Sequence, residues 1–271
     1  MKKGFAKLVA MLVFLGAIVL TQLSSYGQEQ PQPVPPSDLH QAGGAPPPPQ
    51  PPPPSGPPPV SPPPPVSGMT SNPPPALLYV APGVFEIGKC RITKAEGKVE
   101  FPASVNMKEG LLEYLLVGNS GKLHESLLRT DIEPYALQVS LLLSGLEGSL
   151  MPLSFQGEDK LPTGDAIDIM VAWQENGKEH KVRIEELLLQ GKEPVGQVPW
   201  VFTGSLVRDG VFVAQAEKSI IAVFHDPAAM IDHRLPSGAS DEVWFVNSQT
   251  TPAVGTPMTV SITKKQVKTT R

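Results

Sequence analysis

Proline distribution constrains this chain more than any other feature. Of its 33 prolines, 22 fall between Pro31 and Pro75, in runs such as "PPPPQPPPPSGPPPVSPPPP". Proline fixes φ and removes a backbone donor, so the segment 28–76 is expected to favour polyproline II and not to pack a core. Its expected role is that of a disordered spacer, reaching roughly 150 Å at ~3.1 Å per residue. A docking peptide for proline-binding modules is the alternative. The remaining chain, from about Leu77 to Lys265, is long enough to bury one core, and residues 266–271 read as a tail.

The segment before the prolines is a different material again. "MKKGFAK" is basic, Leu8 to Leu23 is apolar, and Ser25, Tyr26 and Gly27 put small residues at −3 and −1 of a cleavage site between Gly27 and Gln28. These are the marks of a secretory signal peptide over residues 1–27. The apolar run is slightly short for a spanning helix, so membrane attachment is expected only through an uncleaved signal anchor. Export to the periplasm or beyond follows as an expectation. Cys90 stands alone and makes no internal disulfide, so packing must hold the fold. Its default reading is a small strand residue. No cysteine stands directly after the apolar run, which argues against a lipoprotein anchor. A net charge of −4 without a basic patch argues against nucleic-acid binding.

The globular part reads as mainly β (α+β), an antiparallel sheet of several hairpins with one buried helix near 131–144. Alternating runs flank Glu96-Gly97, Asn119 to Gly121, Asn176-Gly177 and Asp209-Gly210. Asn-Gly and Asp-Gly are strong hairpin signals because a type I′ turn needs φ > 0 at both central residues. Further strands are expected at "SIIAVF", "EVWFVN" and "PMTVSITK". In "TDIEPYALQVSLLLSGLE", Pro134 suits a first helical turn, Thr130 with Glu133 resembles a capping box, and Gly145 suits the stop. Ala136, Val139, Leu142 and Leu143 share the expected buried face, widened by Leu137 and Leu141. A second short helix is expected at "HDPAAMID", with Asp226 as N-cap.

Candidate chemistry concentrates in "LLEYLLVGNSGKLHESLL". Taken as a hairpin, it places Glu113 and Glu125 on apolar faces, where an ionised carboxylate needs a partner. One register sets Glu113 opposite Ser126 and diagonal to His124, giving a Glu–His–Ser–Lys cluster. A one-residue slip sets it opposite Glu125, giving a carboxylate pair that could share a proton or a cation. The catalytic candidates are therefore Glu113, Lys122, His124 and Glu125. The plain alternative is a glutamate held by backbone amides and lysine, fixing the hairpin to its neighbours. Weak metal candidates are His124, Glu125, His225 and Asp226. Against them, "FHDPAAMIDHR" reads first as a turn capped by Asp226 with the remaining polar groups solvated. No HExxH, GxSxG or Gly-rich phosphate loop is present, so no cofactor is expected and a divalent metal remains an option only. Trp173, Trp200 and Trp244 fall in apolar strands, so packing is their default, ahead of a sugar-stacking platform.

Taken in order, "VEFPASVNMKEGLLEYLLVGNSGKLHESLL", the Leu-rich helix, "WVFTGSLV", "FHDPAAMID" and "GTPMTVSI" resemble the YdjY-type domain of exported bacterial proteins. The resemblance covers roughly residues 80 to 265. It implies that Gly121, Lys122, His124, Glu125, Ser126, Asp226 and Pro227 are characteristic positions, and it assigns none of them a role, an activity or a cofactor. The leading functional expectation is a non-catalytic domain on a proline-rich tether that binds an envelope protein or glycan. The rival is a metal- or acid/base-dependent hydrolase built on Glu113, Lys122, His124 and Glu125. A third reading is a domain whose polar residues serve stability alone.

Overall fold

The computed structural model describes residues 76–265. The expected signal peptide with its expected Gly27–Gln28 junction, the expected proline-rich spacer and the 266–271 tail lie outside the described residues. Among those described, no helix is long and apolar enough to cross a membrane.

Three short strands open the domain: β1 (Leu77–Ala81), β2 (Val84–Ile87) and β3 (Cys90–Thr93). They meander antiparallel into β4 (Lys98–Val105). Next come β5 (Tyr114–Gly118), β6 (Ser126–Thr130) and helix α1 (Pro134–Leu143). After a long connection follow β7 (Asp165–Glu175), β8 (Lys178–Arg183), β9 (Leu188–Gln190), β10 (Glu193–Pro194) and β11 (Trp200–Phe202). The last part contains β12 (Val207–Arg208), β13 (Val211–Phe212), α2 (Val213–Glu217), β14 (Ser219–Ala222), β15 (Ile231–His233), β16 (Trp244–Val246) and β17 (Pro257–Lys264). The main sheet runs β4-β17-β7-β11-β15-β14-β5-β6, and β6 pairs back onto β4, so the circuit closes into a barrel-like sheet. Closure removes the edges that an open sheet would expose.

The strands around this circuit are of two kinds. β4, β7 and β17 alternate buried and exposed, with Val99, Phe101, Ile169, Val171, Val260 and Ile262 turned into the core. That is the period-2 pattern of a sheet with one wet face. β5, β11, β14 and β15 are buried along their whole length. Over the outer face of β5 and β14 lies a second, small apolar cluster of Tyr114, Val117, Ala222 and Ala229, with Leu123 against it. Polar groups buried within doubly covered strands must find partners inside the protein. Trp173, Trp200 and Trp244 all pack in the main core, so none offers a stacking platform. Cys90 is likewise fully buried, and burial pushes its thiol up to about 12, with Ser140 opposing.

Several expectations need correction. The 111–128 stretch is not a hairpin: β5 and β6 run parallel, with Tyr114 beside Ser126 and Leu116 beside Leu128. The physical reason lies in the turn. Asn176 and Gly177 take φ of 52° and 75°, and Asp209 and Gly210 take 52° and 78°, as hairpin turns require, whereas Asn119 and Gly121 do not enter the positive-φ region. The chain instead folds back through a 3-10 turn at Leu123–Glu125 and re-enters the sheet at Ser126. Lys122, His124 and Glu125 therefore lie on a return loop and not on a strand.

In α1 the buried stripe is Pro134, Ala136, Leu137, Ser140 and Leu141, while Leu142 and Leu143 face outward. The Thr130–Glu133 capping box does not form. Thr130 Oγ1 donates to Pro102 O and accepts from Ile132 N, and Glu133 turns to Lys218. "HDPAAMID" forms a turn and then a strand, not a helix. Asp226 Oδ1 accepts from Ala228 N, and Asp232 and His233 follow on β15. "FVAQA" supplies only the end of β13 before becoming α2.

Candidate functional site

The polar residues of "LLEYLLV" and "GKLHES" do meet, by a route that the sequence did not show. The return loop lays the Glu125 carbonyl against Glu113 N at 3.0 Å. Asn106 Nδ2 pins the loop by donating to Leu123 O and Ser126 O, and Ser126 Oγ donates to Lys122 O at 2.6 Å. The outcome places Glu113 beside Glu125, in a cluster rimming the small outer core.

Lys122 is its hub. Its Nζ lies 3.7 Å from Glu113 Oε2 and 3.6 Å from Glu125 Oε1, donates to Tyr114 Oη at 3.1 Å, and stands 5.0 Å from the Tyr114 ring centroid. Tyr114 Oη donates to Asp226 Oδ2 at 2.7 Å. Gln156, from the long connection between α1 and β7, donates to Glu113 Oε2 at 3.0 Å and also reaches Tyr114 Oη. Burial raises the Glu113 carboxyl above its ordinary range, the Glu125 charge adds to the rise, and Lys122 opposes it. Tyr114 is likewise pushed up by burial and then by the Asp226 carboxylate, so its phenol stays protonated and donating. Of the sequence candidates, Glu113, Lys122, Glu125 and Asp226 converge here. His124 does not join them: its side chain is 79% exposed and reaches only Glu125, at 3.3 Å.

Behind Asp226 a second, fully buried group continues inward. Asp232 Oδ2 accepts from Asp226 N, and Asp232 Oδ1 accepts from His233 N. Burial pushes Asp232 well up, with these two amides opposing. His225, Asp232 and His233 each offer a ligand atom, all within 4.8 Å of one another. This trio, and not His124 with Glu125, His225 and Asp226, is the arrangement to test for a metal. It fits one poorly. His233 Nδ1 accepts from Leu235 N and its Nε2 donates to Val223 O, so both ring nitrogens are occupied. Burial holds His233 down to about 3, the state of a neutral structural imidazole. His225 directs Nδ1 at Glu158 O (3.0 Å) and Nε2 at His233 O (3.1 Å), with Asp232 Oδ1 3.9 Å away. Gly238 lies so close that a Cβ there would strike the His225 ring. Asp232 and His233 are fully buried, where solvated residues had been expected.

A separate groove opens on another part of the surface, where β3 and β6 leave the shared edge of β4. It has a volume of about 310 Å³ and is lined by Pro102, Ala103, Ser104, Asn119, Arg129, Thr130 and Asp131. Sequence reasoning missed this groove, Tyr114 and Gln156. A tyrosine in an apolar strand must find a partner for its hydroxyl, which was a usable signal. Gln156 and Arg129 carried none, because their positions depend on connections with no periodicity.

The chain is thus a β-rich domain with a closed sheet, an internally bonded polar cluster at one set of strand ends and an open polar groove elsewhere. The model of the YdjY domain family matches residues 91–263, and the chain belongs to that family. No curated protein and no solved structure gives a significant match.

Proposed function

We propose that this is a non-catalytic binding domain of the cell envelope, presented on the proline-rich spacer. The observation that supports it is the contrast between its two polar regions. In the cluster, Lys122 lies between Glu113 and Glu125, Tyr114 caps Asp226, and Gln156 caps Glu113. Its charges are engaged with one another around a small apolar core. In the groove, polar side chains line open space. A binding domain needs the second; a stable fold needs the first. The signal-like N-terminus and the spacer favour a partner in the envelope. Co-sedimentation of the full chain with purified envelope polysaccharide and with envelope membranes tests this. Saturable retention on either is the expected result, and no retention at any ionic strength overturns it.

A second reading has one observation in its favour. Glu113, raised and beside Glu125, is placed to hold a proton that a substrate could take. Under that reading Glu113→Gln abolishes a hydrolytic activity while leaving the melting temperature close to that of the parent. Under the binding reading the substitution alters stability alone.

A further inference from the structure

We propose that the groove at the β3/β6 fork is a subsite for the carboxylate of an acidic sugar; this rests on the binding-domain reading above. The groove exists because one strand serves two neighbours. On one edge β4 pairs with β3 as far as Glu100, and with β6 only from Ser104 onward. Phe101, Pro102 and Ala103 fall in the gap. Pro102 has no N–H to leave unpaired, which makes it a fitting residue at an open edge. Its carbonyl is satisfied by Thr130 Oγ1 at 2.6 Å. The fork is therefore a finished feature of the sheet, with its backbone polarity accounted for.

Arg129 supplies the charge. It lies opposite Ser104 on β6 and points to the wet face, exposed between buried neighbours. Arg91 pairs with Glu86, and Arg183 with Asp168 and Glu185. Among the described residues Arg129 forms no such pair, and neither do Arg208 and Arg234, but of these three only Arg129 lines the groove. The acid that shares the groove, Asp131, forms an exposed surface pair with Lys89. The groove thus presents one uncommitted guanidinium, whose planar fork matches a carboxylate in two parallel hydrogen bonds. Around it, Asn119 and Ser104 offer an amide and a hydroxyl, while the buried Thr130 hydroxyl is committed to Pro102 O. The apolar lining is limited to Pro102 and Ala103, with no aromatic face. A single polyhydroxylated ring carrying a carboxylate fits that lining, and the volume is at the lower end for small-molecule sites.

The test is calorimetric titration of the full chain with a glucuronate-containing oligosaccharide, its neutral methyl ester, and a short peptide with a free C-terminal carboxylate. The acidic sugar is expected to bind. The ester and Arg129→Ala should each weaken binding by about tenfold to a hundredfold, as loss of a charge-assisted pair does, and Arg129→Lys should recover part of it. Arg129 is exposed, so these variants should keep the parent melting temperature. Equal affinity for acid and ester, unchanged binding in Arg129→Ala, or tighter binding of the peptide would overturn the proposal. Envelope co-sedimentation separates the two levels of inference. If parent and Arg129→Ala are retained equally, the groove assignment fails and the binding-domain reading stands. If the sugar binds but no envelope material retains the chain, the reverse holds.

Discussion

Glu113 illustrates how burial sets a residue's behaviour here. Its carboxyl is raised, so relative to the unfolded chain the fold favours the protonated form. Such a group helps stability below its unfolded value of 4.5 and loses that contribution as pH rises through its higher folded value. Glu113→Gln should therefore be neutral to stabilising at pH 7, by up to about 1 kcal/mol, with the gain vanishing under acid in urea-denaturation series. Lys122→Met should act oppositely, destabilising at neutral pH and recovering on acidification as Glu113 and Glu125 take protons. Tyr114→Phe removes the donor to a buried Asp226 oxygen and should cost about 1–3 kcal/mol. His233 adds an acid limb. Its folded value of about 3 lies below the ordinary 6.5. Its contribution is present above 6.5 and is lost as pH falls toward about 3, at up to about 1.4 kcal/mol per pH unit. His233→Gln should remove that limb from a plot of unfolding free energy against pH.

At the scale of elements, the legible part of the sequence was the part with one wet face. Lys98–Val105, Asp165–Glu175 and Pro257–Lys264 alternate because one side meets water, and they became β4, β7 and β17. The turns at Asn176-Gly177 and Asp209-Gly210 formed as their residue types require. Strand direction at β5 and β6 was not legible. A strand buried on both faces shows no alternation, and apolar runs look alike whether their neighbours are parallel or antiparallel. The carboxylate pairing of Glu113 with Glu125 was anticipated as one of two alternatives, yet it arises from a parallel pair and a return loop. The polar turn at 225–233 misled for a related reason: Asp232 and His233 look solvated in sequence, but β15 lies between β11 and β14 and is covered on both faces. That packing makes Gly238 critical. Gly238→Ala should displace the His225 ring and cost about 1–3 kcal/mol or more, measured by chemical denaturation, without altering residues of the groove.

Across the whole molecule, the closed circuit and the fork are two consequences of the same strand. β4 closes the sheet through β6 and, by also holding β3, leaves the gap that becomes the groove. The polar cluster lies at the ends of the doubly covered strands, where its bonds hold the return loop and the Asp226 turn over the outer core. Under the proposed binding reading, stability and recognition fall to different places. Co-sedimentation of the full chain with envelope material, run side by side for the parent, Glu113→Gln and Arg129→Ala, tests that division most directly. The account predicts that Glu113→Gln is retained like the parent and that Arg129→Ala is lost. Loss of Glu113→Gln from a folded sample, with Arg129→Ala retained, would contradict it.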